Sequence, residues 1–145
     1  MALLFHLSIS KSNPTQLRVP LSEYQEHARV EASAPASDIQ RIALGAEMSL
    51  VRYSGLALWP CTITVVMSEQ VPIEQLPVQP VTGTVTWTEY GDDWKGIYNS
   101  PGVAVLDDGI RLGLLDYVAW LYDNRGSEYA HGVRKFFATL RRTSF

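Results

Sequence analysis

DGIRLGLLDYVAWLYDNRG, residues 108–126, decides how this chain must be organised. On a helical wheel Ile110, Leu114, Tyr117, Val118 and Leu121 form one apolar stripe, while Leu112, Leu115, Ala119 and Tyr122 form a second on nearly the opposite side. Only a narrow strip around Asp116 and Asp123 is left for water. A helix apolar on two sides has to be covered on both. A chain of 145 residues has one small core to offer, so Leu112, Leu115, Ala119 and Tyr122 are expected at contacts with other chains. Asp107 or Asp108 supplies the N-cap, and Gly126 is placed to stop the helix. The tail that follows ends RKFFATLRRTSF. It interleaves Arg134, Lys135, Arg141 and Arg142 with Phe136, Phe137, Leu140 and Phe145. Taken singly the arginines fit a solvated tail, but the large apolar side chains between them point to docking.

Composition narrows the class. The chain is 46% hydrophobic and 10% aromatic, which excludes wholesale disorder, and no apolar run approaches the length of a membrane span. A net charge of -3 argues against a surface that coats nucleic acid. The charge is uneven: Asp92, Asp93, Asp107, Asp108, Asp116 and Asp123 precede the basic tail, a polarity suited to pairing between copies or with a partner. One cysteine rules out an internal disulfide framework. His6, His27 and His131 lack any metal-site spacing with it. The opening MALLFHLSIS has neither a basic flank nor a small-residue cleavage signal, so no secretion peptide is read there.

Outward from the long helix, the elements alternate in period. Leu3, Phe5, Leu7 and Ile9 make a weak strand pattern, fitting either a frayed terminus or an arm that adds to a neighbour's sheet edge. Ser22 with Gln25 forms a capping box for a short helix from Glu23 to about Val30. Ser37 with Gln40 repeats the signature for a firmer helix from Asp38 to about Ser54. On that second helix Ile39, Ile42, Ala43, Ala46, Leu50 and Tyr53 share a face, and Gly55 caps the end. Residues 61–67, CTITVVM, read as a half-buried strand, and VTGTVTWTEY as a second with a threonine ladder on one face. Gly91-Asp92-Asp93 and Asn99-Ser100-Pro101-Gly102 read as turns, leaving a brief extended piece from Val103 to Leu106. Val133 to Leu140 reads as a last short helix.

No enzyme constellation emerges. Cys61 lies on a strand's apolar face, where a cysteine is ordinarily a small core residue. Adjacent carboxylates such as Asp92-Asp93 and Asp107-Asp108 point apart and sit where turns and helix starts favour aspartate. Gly109 and Gly113 make no phosphate loop. His27 falls on the polar side of its helix and reads as solvated. No catalytic residue, metal ligand or cofactor is expected.

The succession of elements resembles the small head-tail connector family of tailed bacteriophages, also called adaptor or head-completion proteins. A family helix of the type A-x-x-x-V-x-x-Y-T-G-x-x-L is matched by Ala46, Leu50 or Val51, Tyr53, Gly55 and Leu58. An L-P-x-x-P-V turn is matched by Leu76, Pro77, Pro80 and Val81. A helix ending L-Y-E-N-R is matched by Leu121, Tyr122, Asp123, Asn124 and Arg125, and the closing V-x-x-L-L-x-x-Y-R by Val133, Phe136, Phe137, Leu140 and Arg141. The resemblance covers roughly residues 17–142. It implies an α+β, mainly helical fold: a small helical bundle with an inserted antiparallel β-hairpin or small sheet, an extended N-terminal arm and a C-terminal tail. Residues 1–16 are then an extension, 17–126 the connector domain and 127–145 a docking tail.

The resemblance also implies a function. About twelve identical subunits form a ring beneath the portal protein, extend the DNA channel and present a platform to a stopper or tail protein. Double-stranded DNA passes without specific binding. The protein belongs in the virion neck, assembled in the host cytoplasm, with no membrane contact. Arg134, Lys135, Phe136, Phe137, Leu140, Arg141 and Arg142 would dock on the portal, and Asp92 and Asp93 would line the channel, where like charge keeps DNA from sticking. Two other readings stay open: another neck component, either a stopper or a tail-completion ring, and a small hydrolase in which Cys61, a histidine and a carboxylate converge.

Overall fold

The computed structural model describes residues 2–124, 133 and 135–137. The elements run β1 (Leu4–Lys11), α1 (Leu21–His27), α2 (Ala36–Ser54), β2 (Cys61–Met67), a 3-10 turn (Ile73–Gln75), β3 (Thr82–Tyr90), β4 (Asp93–Ser100) and α3 (Asp108–Asp123). They fall into two compact units. The sheet unit is built on Met1–Pro14 and Gly55–Ala104, and the helical unit on Thr15–Ser54 and Val105–Arg141.

The sheet unit corrects the expected fold class. In place of a helical bundle carrying a hairpin there is a four-stranded antiparallel sheet in the order β1-β2-β4-β3, compact in its own right. The N-terminal arm is not an addition to a neighbour's sheet. It pairs along its length with β2, from Leu4 opposite Met67 to Lys11 opposite Cys61. A register shift between Leu4 and His6 turns Phe5 outward, 56% exposed, while Ile9 is buried. β4 is the strand that periodicity concealed. Its inner side carries Trp94, Gly96, Tyr98 and Ser100, of which only the aromatics are large and apolar, so no hydrophobic alternation marks it. Gly96 is required there because the Trp87 ring lies over it, 2.8 Å from where a Cβ would be.

β2, flanked by β1 and β4, is buried at Cys61, Ile63, Val65, Val66 and Met67, as β-branched residues in a central strand would be. Tyr90 pairs with Asp93, so Gly91-Asp92 forms a two-residue hairpin loop, and Gly91 takes the positive φ of 65° that such loops demand. Away from the ladder, the Tyr98 hydroxyl accepts from the Val78 N–H and donates to the Val78 carbonyl, both at 3.1 Å. One phenol thereby satisfies both backbone groups of a buried residue.

In the helical unit α3 buries Ile110, Leu114, Tyr117, Val118 and Leu121, the first stripe of the wheel. Its N-cap is Asp107, whose side chain accepts from the Ile110 N–H at 3.2 Å. α2 buries Ile39, Ile42, Ala43, Ala46, Glu47, Leu50 and Val51, with Tyr53 half-buried. It starts at Ala36, so Ser37 lies inside the helix and is not its cap. α1 follows Pro20 with no side-chain cap, so Ser22 does not form the expected box. The fixed φ of proline orients the chain into the first turn without a capping hydroxyl. At the far end of α1 the Val30 N–H returns to Gln25 O and the Arg29 N–H to Glu26 O. This Schellman arrangement places Arg29 at φ 55°, where glycine is the usual residue.

Candidate functional site

The feature hidden from sequence reading is the carboxylate of Glu47, fully buried on α2. It accepts from the Arg18 N–H at 2.7 Å, the Val19 N–H at 3.2 Å and the Tyr24 hydroxyl at 2.6 Å. Burial, then the neighbouring Glu47, raises the Tyr24 phenol above its ordinary pKa. An acid beside Ala46 and Leu50 on the apolar side of the wheel was the available signal, since an unpaired charge is not left there. The arrangement is structural: it fixes the strand-to-helix segment Arg18–Val19 and α1 onto α2.

α1 is tied to α3 by two polar side-chain contacts. Arg111 binds Glu23, which holds the guanidinium pKa above its ordinary value, and His27 Nε2 lies 2.7 Å from Asp116 Oδ1. His27 is exposed, as its place on the polar side of α1 suggested, and it also meets Asp116, which the α1 sequence by itself could not reveal. Between these ties lies an open cleft of about 560 Å³ lined by Glu23, Glu26, His27, Arg29 and Leu115.

The four proposed interface residues of α3 separate. Leu112 is 54% exposed; Leu115 is half-buried in the α1 cleft; Ala119 and Tyr122 are half-buried. The outward stripe of α3 is thus mainly acidic: Asp108, Leu112, Asp116 and Asp123 are exposed along it.

The closing aromatics also divide. Phe137 is 3% exposed, set edge-on to Tyr117 with ring centroids 6.1 Å apart and against Gly113 of α3, so it is not an exposed docking anchor. Phe136 is half-buried, with its centroid 5.7 Å from Tyr117 and 6.2 Å from Trp120. Lys135 is exposed, its Nζ 5.3 Å from the Trp120 centroid. The apolar deficit read from the sequence is partly met within the chain, because Gly113 opens a gap in α3 that an aromatic ring fills. Arg134, Leu140, Arg141 and Arg142 lie outside the described residues.

Asp92 sits exposed in the β3–β4 loop, and Asp93 begins β4 as the partner of Tyr90. Cys61 is buried, and desolvation pushes its thiol up from 9.0 to about 11, away from nucleophilic reactivity. Among the described residues no group of three histidine, cysteine or acidic side chains can hold a metal ion. No described helix is long and apolar enough to cross a membrane. No protein-family model matches the chain, and no curated protein or solved structure does either.

Proposed function

We propose that this chain is a structural component of the tailed-phage neck: a head-tail connector subunit. Identical copies, about twelve, ring the channel beneath the portal protein and receive a stopper or tail protein. The observation that carries the reading is α3, buried along one stripe and open along the other with Leu112 exposed among Asp108, Asp116 and Asp123. A subunit flanked by copies of itself needs such a second, dissimilar face. The order of elements adds support: two helices, a strand, a Leu76-Pro77 turn into further strands, then the apolar helix and the Val133–Phe137 piece. Docking on the portal falls to Arg134, Lys135, Leu140, Arg141 and Arg142 with half-buried Phe136 at their edge. Phe137 holds the segment to α3 instead. Asp92 at the hairpin tip is the channel-facing acid, with Asp93 beside it. The role is structural, not catalytic, and its place is the virion neck.

A stopper or tail-completion ring in the same particle is the second reading, favoured by the four-stranded sheet. One experiment separates them. The chain is mixed with assembled portal rings and imaged by electron microscopy. The connector reading requires a ring of density on the portal's tail-facing end, lost when Arg141 and Arg142 are both changed to Glu. The stopper reading requires binding only after another neck protein is in place. No density under either condition overturns both.

A further inference from the structure

We infer that neighbouring copies of this chain meet through α2 of one subunit and α3 of the next, a basic face laid on an acidic one. The inference rests on the ring reading and supplies the contact that reading leaves open.

α2 buries the side centred on Ala46 and Leu50. Half a turn away, at the i, i+3, i+4, i+7 and i+11 spacing that keeps residues on one face, stand Arg41, Leu44, Gly45, Met48 and Arg52. Both arginines are exposed, and the three apolar residues between them are half-buried. Asp38 in the first turn is the one acid near this side. α3 has the opposite character. Its exposed stripe carries Asp108, Leu112, Asp116 and Asp123, of which Asp116 already meets His27 and leaves Asp108 and Asp123 as the acids offered to a neighbour. Arg111, its only cation, is already bound to Glu23.

The two faces also match in length. Arg41 and Arg52 are separated by roughly 16 Å along the helix axis. Asp108 and Asp123 are separated by roughly 22 Å, at 1.5 Å of rise per residue. The long arginine side chains, splayed outward along the axis by roughly 3 Å at each end, span the difference. Exposed Leu112 then lies on the apolar ground of Leu44, Gly45 and Met48.

Charge decides the symmetry. α2 on α2 opposes two pairs of arginines, and α3 on α3 opposes rows of aspartates, so a two-fold contact through either helix is repulsive. α2 on α3 is attractive and uses two different surfaces, which makes it head-to-tail, the contact that closes into a ring.

Two full-length variants test this. One carries Arg41→Glu with Arg52→Glu, so both its faces are acidic; the other carries Asp108→Lys with Asp123→Arg, so both are basic. Sedimentation of the wild-type chain over a concentration series is expected to show association that weakens with added salt. Each variant alone should associate more than about a hundredfold less tightly, since like charges brought together cost several kcal/mol. An equimolar mixture should recover wild-type association, because every contact is again between opposite charges. A third variant, Leu112→Ser, should weaken association with no recovery in either mixture, and circular dichroism of each chain establishes that it is folded. A wild-type chain that stays monomeric throughout, variants that associate like wild type, or a mixture that fails to recover each overturns the inference. Portal attachment is scored on the same proteins. Attachment with no charge-dependent association removes this contact and keeps the ring reading, whereas a wild-type chain that does not attach removes the ring reading itself.

Discussion

Replacing Glu47 should be the most damaging single polar change in the helical unit, and the structure sets the scale. Its carboxylate is fully buried and receives two backbone N–H groups and the Tyr24 hydroxyl, at 2.7, 3.2 and 2.6 Å. Glu47→Ala removes the acceptor and leaves three donors in a buried site. An orphaned buried donor costs about 1–3 kcal/mol. Two effects reduce the sum: the mutant no longer desolvates a carboxylate, and the vacated space admits water to some donors. A net loss of about 4 kcal/mol is expected, a large share of the roughly 5–15 kcal/mol that holds a domain folded. Glu47→Gln retains one acceptor oxygen but turns an amide N–H toward a donor, for about 2–3 kcal/mol. Tyr24→Phe removes one donor and leaves the carboxylate two, for about 1–1.5 kcal/mol. Urea denaturation of the four proteins reads the series, and native-state hydrogen exchange at the Arg18 and Val19 amides gives the local readout. In a fifth protein carrying Glu47→Ala with Tyr24→Phe, the two losses should fall short of additivity by about 1 kcal/mol or more, because the groups share a bond. A Glu47→Ala protein within about 1 kcal/mol of wild type, with both amides still protected, would refute the reasoning, since the buried carboxylate would then hold nothing in place.

Three further outcomes are expected. Tyr98→Phe strips the Val78 N–H and carbonyl of their shared partner and should cost about 2–3 kcal/mol in the sheet unit by urea denaturation. Arg29→Gly should raise the unfolding free energy by about 0.5 kcal/mol, the relief of a left-handed non-glycine residue less the extra freedom of glycine in the unfolded chain; a loss instead would mean that the arginine side chain makes a stabilising contact. Because burial raises the Cys61 pKa from 9.0 to about 11, the folded state keeps a proton that the unfolded chain releases. Stability should therefore decline as pH rises from about 9 and stop declining on this account above about 11, and a thiol reagent at neutral pH should label Cys61 only in denaturant.

What the sequence disclosed follows from how much of each signal was local. α3 carries its own amphipathic period, so its buried stripe and its aspartate cap were readable, and CTITVVM carries the β-branched density of a central strand. β4 was not readable, because its inner side needs Gly96 to make room for Trp87, and that need belongs to the neighbouring strand. The strand status of residues 4–11 was only weakly marked, since the register shift next to Phe5 breaks the alternation. Helix starts at Ala36 and Leu21 missed the capping boxes because proline before each first turn did the orienting. The same holds for the polar contacts: Glu47, His27 and Arg111 each find a partner more than twenty residues away, which no window along the chain encloses.

These corrections change the physics expected of assembly. Had α3 presented a second greasy stripe, subunits would join by burying apolar area, a contact tight, insensitive to salt and hard to reverse. Phe137 instead closes against Gly113 and Tyr117 inside its own chain, Leu115 turns into the α1 cleft, and the exposed line of α3 holds three carboxylates for one leucine. Contacts of that kind set register and exclude wrong partners more than they supply affinity. In the proposed ring, a subunit so built would stay apart at low concentration and close the circle where a template raises the local concentration of copies. If the proposed neck role holds, the portal would do more than receive the ring: by holding successive subunits side by side it would convert a weak head-to-tail contact into a stable circle.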